Sequence, residues 1–259
     1  MKHFKEPQLQ YKRMFGFGTG GKKHTREIVP GVYYFSEFPM LDCGMYILKD
    51  ENENLALIDA GNGRSLDATI AALQNLKLNI RKLSKVIITH EHLDHVLGLY
   101  PLLEMLTESP PEVIAHPITA KILEEGDENK ICPGALGISA SQFGVEIKPI
   151  SVKPINEGEE LSFGSYRFQV YNTPGHSLGS ASFFETTQKI LFPGDVVFPQ
   201  GSFGRYDFPG GSLETLKHSI AGLAELPAEH LCAGHMDPVI RNAAKEIGKS
   251  LKNINYLRW

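Results

Sequence analysis

Cysteine is scarce in this chain: Cys43, Cys132 and Cys232 are the three in 259 residues. A sparse, odd set does not supply a disulfide framework. An excess of one charge is also lacking. Lys and Arg total 26 against 30 Asp and Glu, a formal net charge of −4 with pI near 6.2. No global basic field therefore argues for nucleic acid as a partner. No apolar run reaches the roughly eighteen residues of a membrane span, and the first residues hold no uninterrupted apolar stretch of the signal-peptide kind. The expectation is a soluble, cytoplasmic protein with no membrane partner. What remains, 42% hydrophobic and 22% charged, is ordinary globular composition, ample for one α/β core.

The densest chemistry lies in Thr89-His90-Glu91-His92-Leu93-Asp94-His95. It follows Val86-Ile87-Ile88, whose β-branched side chains read as a buried strand. The histidines thus stand where a strand gives way to a loop, a common place for ligands in α/β proteins. His90 and His92 point to the same side of an extended backbone. Asp94 and His95 add a carboxylate and another imidazole, a donor set that suits zinc, iron or manganese. The cluster offers more donors than one open catalytic ion takes from a single segment, which hints at two metals.

Three later segments repeat one design. Thr173-Pro174-Gly175-His176, Phe192-Pro193-Gly194-Asp195 and Cys232-Ala233-Gly234-His235 each follow a strand-like run and end on a metal-capable side chain. Glycine before the ligand allows a sharp turn and a close approach. Cys232 reads as a small buried residue and not as a nucleophile.

In this order, His90-x-His92-x-Asp94-His95, His176, Asp195 and His235 resemble the metallo-β-lactamase-fold hydrolase superfamily, from about residue 31 to 238. Leu57-Ile58-Asp59-Ala60-Gly61 resembles its early Asp-containing turn. The stretch from Gly201 to Gly211 resembles the Gly-Arg-x-Asp-x-Pro element of glyoxalase II-like proteins. The resemblance implies an αββα sandwich of two mixed sheets flanked by helices. It also implies a binuclear hydrolase that uses a metal-bound hydroxide on a small-molecule thioester, ester or lactone. By the same resemblance, His90, His92 and His176 hold one divalent ion, Asp94, His95 and His235 hold a second, and Asp195 bridges them. Zinc comes first as the metal, with iron or manganese as alternatives. Asp94 is the catalytic candidate, orienting the nucleophile. Asp59 is expected behind the ligands, fixing the loop or an imidazole. Arg205 is a candidate partner for a substrate carboxylate, with an internal pair to Asp207 as the alternative.

Two other activities compete. Persulfide dioxygenases resemble this family and use one iron. Nucleases and phosphodiesterases do too, but the acidic balance counts against them. A binding protein on an emptied scaffold is disfavoured because all seven ligand positions are filled.

Along the chain, residues 1–27 read as a flexible basic arm, whose aromatics would pack on the body or on a partner subunit in a homodimer. Residues 28–259 read as one domain. The Gly-rich run from Gly16 to Gly21 matches a dinucleotide pattern but lacks a preceding strand and a following helix. Strands are expected at 32–35, 44–48, 55–59, 86–88, 113–115, 161–163, 166–171, 180–184 and 189–192. Helices are expected at 65–76, 96–106, 117–125, 213–226 and 239–251. His116 belongs to none of the ligand motifs. Residues 126–157, rich in Gly and Pro, form a long connection that is functional, partly helical or mobile.

Overall fold

A computed structural model describes residues 24–38, 41–133 and 137–257. Strands β1 (Thr25–Val29), β2 (Val32–Phe35), β3 (Met45–Lys49), β4 (Leu55–Ile58), β5 (Leu83–Ile88), β6 (Glu112–Ala115) and β7 (Lys153–Pro154) form one sheet in that order. Its first four strands are antiparallel, and β4 to β7 run parallel. The second sheet holds β8 (Glu160–Phe163), β9 (Tyr166–Asn172), β10 (Ala181–Glu185), β11 (Ile190–Phe192), β12 (His230–Leu231) and β13 (Val239–Ile240), ordered β13-β12-β11-β10-β9-β8. Both sheets are mixed and both are flanked by helices, as the resemblance implied.

Strands β2, β4 and β11 read as unbroken apolar runs because both faces are covered, whereas β8 and β9 alternate buried with exposed residues. In β3, Met45 and Ile47 face the outer helices, whereas Tyr46 and Leu48 face the other sheet. The same two-residue alternation holds in β2 and β4. Between the sheets, Tyr34, Tyr46 and Ile58 meet Phe168, Phe183 and Phe192. Helices α1 (Leu66–Asn75), α2 (Leu93–Val96), α3 (Leu99–Met105) and α4 (Pro117–Glu125) cover the outside of the first sheet, joined by the single turn α5 (Glu128–Ile131). Helices α6 (Leu213–Ala224) and α7 (Ala243–Tyr256) cover the second. Ser212 caps α6, its side chain accepting from the Thr215 amide. His116 accepts a bond from the Ile118 amide and caps α4.

Three expectations need correction. The helix expected at 96–106 is split, because the Gly98 amide bonds to the Gly61 carbonyl at 2.8 Å and leaves the helical ladder. The helix expected from Val239 starts at Ala243. Val239 and Ile240 pair with β12, and Arg241 and Asn242 take left-handed backbone between strand and helix. Residues 25–27, grouped with the basic arm by their charge, run in β1; the arm up to Lys23 lies outside the described residues. The connection at 126–157 is partly helical and largely structural: Ile131, Phe143, Val145, Ile150 and Val152 are buried in the core.

Phe192 is fully buried and meets Tyr46 edge-on across the sandwich. Phe192→Ala is expected to cost about 3–5 kcal/mol. Chemical denaturation checks it; a loss below about 1 kcal/mol would show that the two sheets collapse to refill the space.

Candidate metal centre

All seven sequence-predicted donors come together at one end of the sandwich, on loops that leave β5, β9, β11 and β12. Backbone bonds stitch these loops to each other. The Ala181 amide bonds to the Thr89 carbonyl at 2.9 Å, and the Gly234 amide to the Gly194 carbonyl at 2.9 Å. The first sheet reaches across as well: the Gly44 amide bonds to the Gly234 carbonyl at 2.7 Å, and the Tyr46 hydroxyl donates to the Ala233 carbonyl at 2.8 Å. Gly234 is forced by space. A Cβ there would stand 2.2 Å from Asp195 Oδ1 and 2.7 Å from His95 Cε1.

The donors fall into overlapping groups: His90, His92 and His176; His90, His95 and Asp195; Asp94, His95 and His235. Within each group the donor atoms lie within 4.8 Å of one another. Asp195 joins the groups. Its Oδ1 is 3.3 Å from His95 Nε2, and its Oδ2 is 3.2 Å from His235 Nε2 and 3.6 Å from His176 Nε2. Asp94 Oδ2 is 3.3 Å from His235 Nε2. Donors about 2.1 Å from a tetrahedral ion stand roughly 3.4 Å apart, so these spacings fit ions shared among them.

The outer nitrogens of four imidazoles each find an oxygen. His95 Nδ1 lies 2.8 Å from Asp59 Oδ2, and His90 Nδ1 lies 3.1 Å from Thr89 Oγ1. Thr89 Oγ1 itself donates to Asp59, so it accepts from His90. His176 Nδ1 donates to the Arg205 carbonyl at 2.7 Å, and His235 Nδ1 sits 3.3 Å from Glu37 Oε2. Such partners fix the tautomer and turn the Nε2 lone pair inward. His92 is the exception, presenting Nδ1, which lies 2.8 Å from His176 Nε2.

Among the described residues, His90 Nε2, His95 Nε2 and Asp195 Oδ1 are buried without a hydrogen-bond partner. An unmade bond of this kind costs about 1–3 kcal/mol. Three of them converging in one cluster fit a cation better than a void. Charge agrees. Burial, then the neighbouring imidazoles, hold His90 well below the ordinary histidine range, and burial and His176 push His92 down to about 3. Both offer neutral lone pairs. Burial would raise the carboxyls, but His95 and His235 outweigh it, taking Asp94 down to about 2 and Asp195 well below its usual value. Burial opposes the charged forms of His95 and His235, yet the surrounding acids raise both well above the ordinary value. Without metal, those two sites hold protons.

Several site residues carried no motif. Glu37 accepts from the Met236 amide at 2.6 Å while touching His235, and nothing in its neighbourhood marks it. The Cys43 thiol lies with Asp59 and His95, pushed up to about 11 chiefly by burial. For Arg205 the structure shows the alternative reading, the internal pair with Asp207. Its guanidinium forks onto Asp207 at 2.9 and 2.7 Å and lies over the Phe208 ring. The group that serves the site is its carbonyl, on His176. Cys232 is buried between the sheets, and its thiol is raised far from reactivity by burial.

A model of the metallo-β-lactamase superfamily matches residues 41–235. Hydroxyacylglutathione hydrolase GloC of Haemophilus influenzae is 31% identical over 67% of this chain and 75% of its own. Among solved structures, TTHA1623 in a di-iron-bound form is 29% identical with TM-score 0.63, over 84% of this chain and 95% of that one. The BLEG-1 B3 metallo-β-lactamase is 25% identical with TM-score 0.68, over 88% of this chain and all of that one. By the matched length, the two-sheet fold and the order of its ligand-bearing loops, this chain belongs to the metallo-β-lactamase superfamily.

Proposed function

We propose that the chain is a binuclear metal-dependent hydrolase of small-molecule thioesters, esters or lactones. One observation carries the reading: five of the seven donors, His92, Asp94, His176, Asp195 and His235, line a cavity of about 830 Å³, the size of a small-molecule site. Superfamily membership implies divalent metal, and the hydroxyacylglutathione hydrolase relative supports acyl hydrolysis as the reaction class. A donor set of imidazole and carboxylate without thiolate suits zinc and iron alike, and one similar structure is a di-iron form.

Two ions held by this set would lower the pKa of a water and polarise the acyl oxygen. The chain's own part is positioning. His90, His92 and His176 are neutral donors on one side; Asp94, His95 and His235 stand on the other, with Asp195 between. Asp94 also lines the cavity. From that position Asp94 can orient the attacking water by accepting its hydrogen bond. Phe38, Phe198, Phe203 and Phe208 give the cavity aromatic walls.

The reaction class is tested with metal-loaded protein and a panel of thioester, lactone and phosphodiester in water labelled with heavy oxygen. Label is expected in the product acid of the thioester or lactone, and Asp94→Asn should lower turnover roughly hundredfold or more. Label arriving from dissolved O₂ instead would move the protein to the dioxygenase class.

Elemental analysis of fully loaded protein should saturate at two ions per chain. Asp195→Ala should deplete both sites together, because it removes the shared anion. Saturation at one ion would refute the binuclear reading.

Metal uptake should release protons at neutral pH, from His95 and His235. Their raised affinity for protons means that metal must displace them, so affinity weakens as pH falls. Titrating metal-free protein with zinc in weakly buffered indicator solution measures this. Uptake with no proton release would contradict the charge state assigned to these two imidazoles.

A further inference from the structure

The geometry points to a second, apolar lobe of the substrate cleft that binds a neutral hydrocarbon arm of the substrate. This rests on the hydrolase reading and narrows its substrate class. A cavity of about 330 Å³ adjoins the cavity over the donor cluster, and His92 and Pro133 line both. A substrate whose carbonyl sits at the cluster can therefore run an arm past the His92 ring into this lobe.

Ile118, Ile122, Pro133, Leu178 and Pro209 give the lobe a mostly apolar lining surface, and Glu91, Lys121, Asn129 and Lys130 supply its polar part. Ile118 and Ile122 project one helical turn apart from α4. Leu178 follows the ligand His176 by two residues, and Pro209 comes from the loop after Arg205. Leu178 is 56% exposed and Ile118 39%. Single exposed apolar residues are unremarkable, but two on one wall beside a reaction centre mark a ligand surface.

The charged groups that line the lobe, Lys121, Lys130 and Glu91, each have a partner within the protein. Lys121 lies 3.8 Å from Glu125, and Lys130 lies 3.1 Å from Asp127. The wall's carboxylate, Glu91, accepts from Thr119 Oγ1 at 2.9 Å and from Ser177 Oγ at 3.1 Å. An anionic tail would meet Glu91 and would have to compete with Glu125 and Asp127 for the two lysines. A hydrocarbon arm meets Ile118, Ile122, Leu178 and the prolines, and disturbs none of these pairs.

Two substrate series on metal-loaded full-length protein test this. One lengthens the acyl chain from acetyl to octanoyl on a fixed short thiol; the other lengthens an S-alkyl group on a fixed acetyl. In one series kcat/KM should rise roughly threefold to fourfold per methylene until the lobe is filled. The series that responds shows which arm occupies it. Leu178→Asp should flatten that slope and Leu178→Met should keep it, with metal content as the control for folding. Hydrolysis with a flat slope in both series overturns the lobe and leaves the hydrolase reading standing. If no thioester is turned over, calorimetry with straight-chain carboxylic acids of the same lengths decides separately. Affinity that climbs with length in the parent and not in Leu178→Asp supports the lobe without the hydrolase; affinity independent of length overturns it.

Discussion

Asp59 takes left-handed backbone, φ +55°, which short polar residues and glycine adopt most readily. Its carboxylate accepts from the Thr89 amide and hydroxyl, both at 2.8 Å, and meets His95 Nδ1 at 2.8 Å. One buried group thus ties the end of β4 to the end of β5 and orients an imidazole beyond it. Through Thr89 it also sets the partner of His90. The bend at Asp59 is what lets the chain place a carboxylate behind the histidine loop. Removing that charge would take the shared acceptor from Thr89 and His95, and through Thr89 would loosen His90.

The cluster is held from both sheets, and that explains its burial. Tyr46 and Gly44 of the first sheet's third strand region bond to the loop of the second sheet that carries His235. The Arg205 carbonyl holds His176 from a third direction. Seven donors packed this closely raise a conflict that hydrogen bonds within the protein do not resolve: imidazoles are driven neutral on one side and charged on the other. Divalent metal held by these donors would relieve both: it would give the orphaned Nε2 of His90 and Oδ1 of Asp195 a partner and would displace the protons on His95 and His235.

Much of this was legible in the sequence because the donors are short-range features. His90 to His95 sit in six consecutive positions, and His176, Asp195 and His235 each follow glycine or lie beside one at a strand end. The sheets were legible because strands buried on both faces show as apolar runs. What stayed hidden depends on contacts between distant segments. Glu37 reaches His235 across about two hundred positions, and no pattern near it signals this. The Arg205 carbonyl is invisible to a reading of side chains, which left the guanidinium between a substrate carboxylate and Asp207, two residues on. The split at Gly98 is of the same kind, since its amide partner is Gly61. At Val239-Ile240 a strand of two residues offers no period to read, so apolar spacing alone favoured a longer helix.

The division between buried and exposed parts also separates two kinds of information. The donors, together with Asp59 and Thr89 behind them, are mostly buried and cross-linked, with several partners between them. The surfaces that would meet a substrate arm are different. Ile118 and Leu178 pack loosely at the rim, on an exposed helix face and a ligand-bearing loop. Changing them alters an apolar wall without touching a donor or its hydrogen bonds. The scaffold can therefore keep one chemistry while its cleft is reshaped, and this is why the ligand motif identifies the family readily and the substrate poorly. The substrate's identity is written in side chains whose only constraint is contact with a molecule outside the protein.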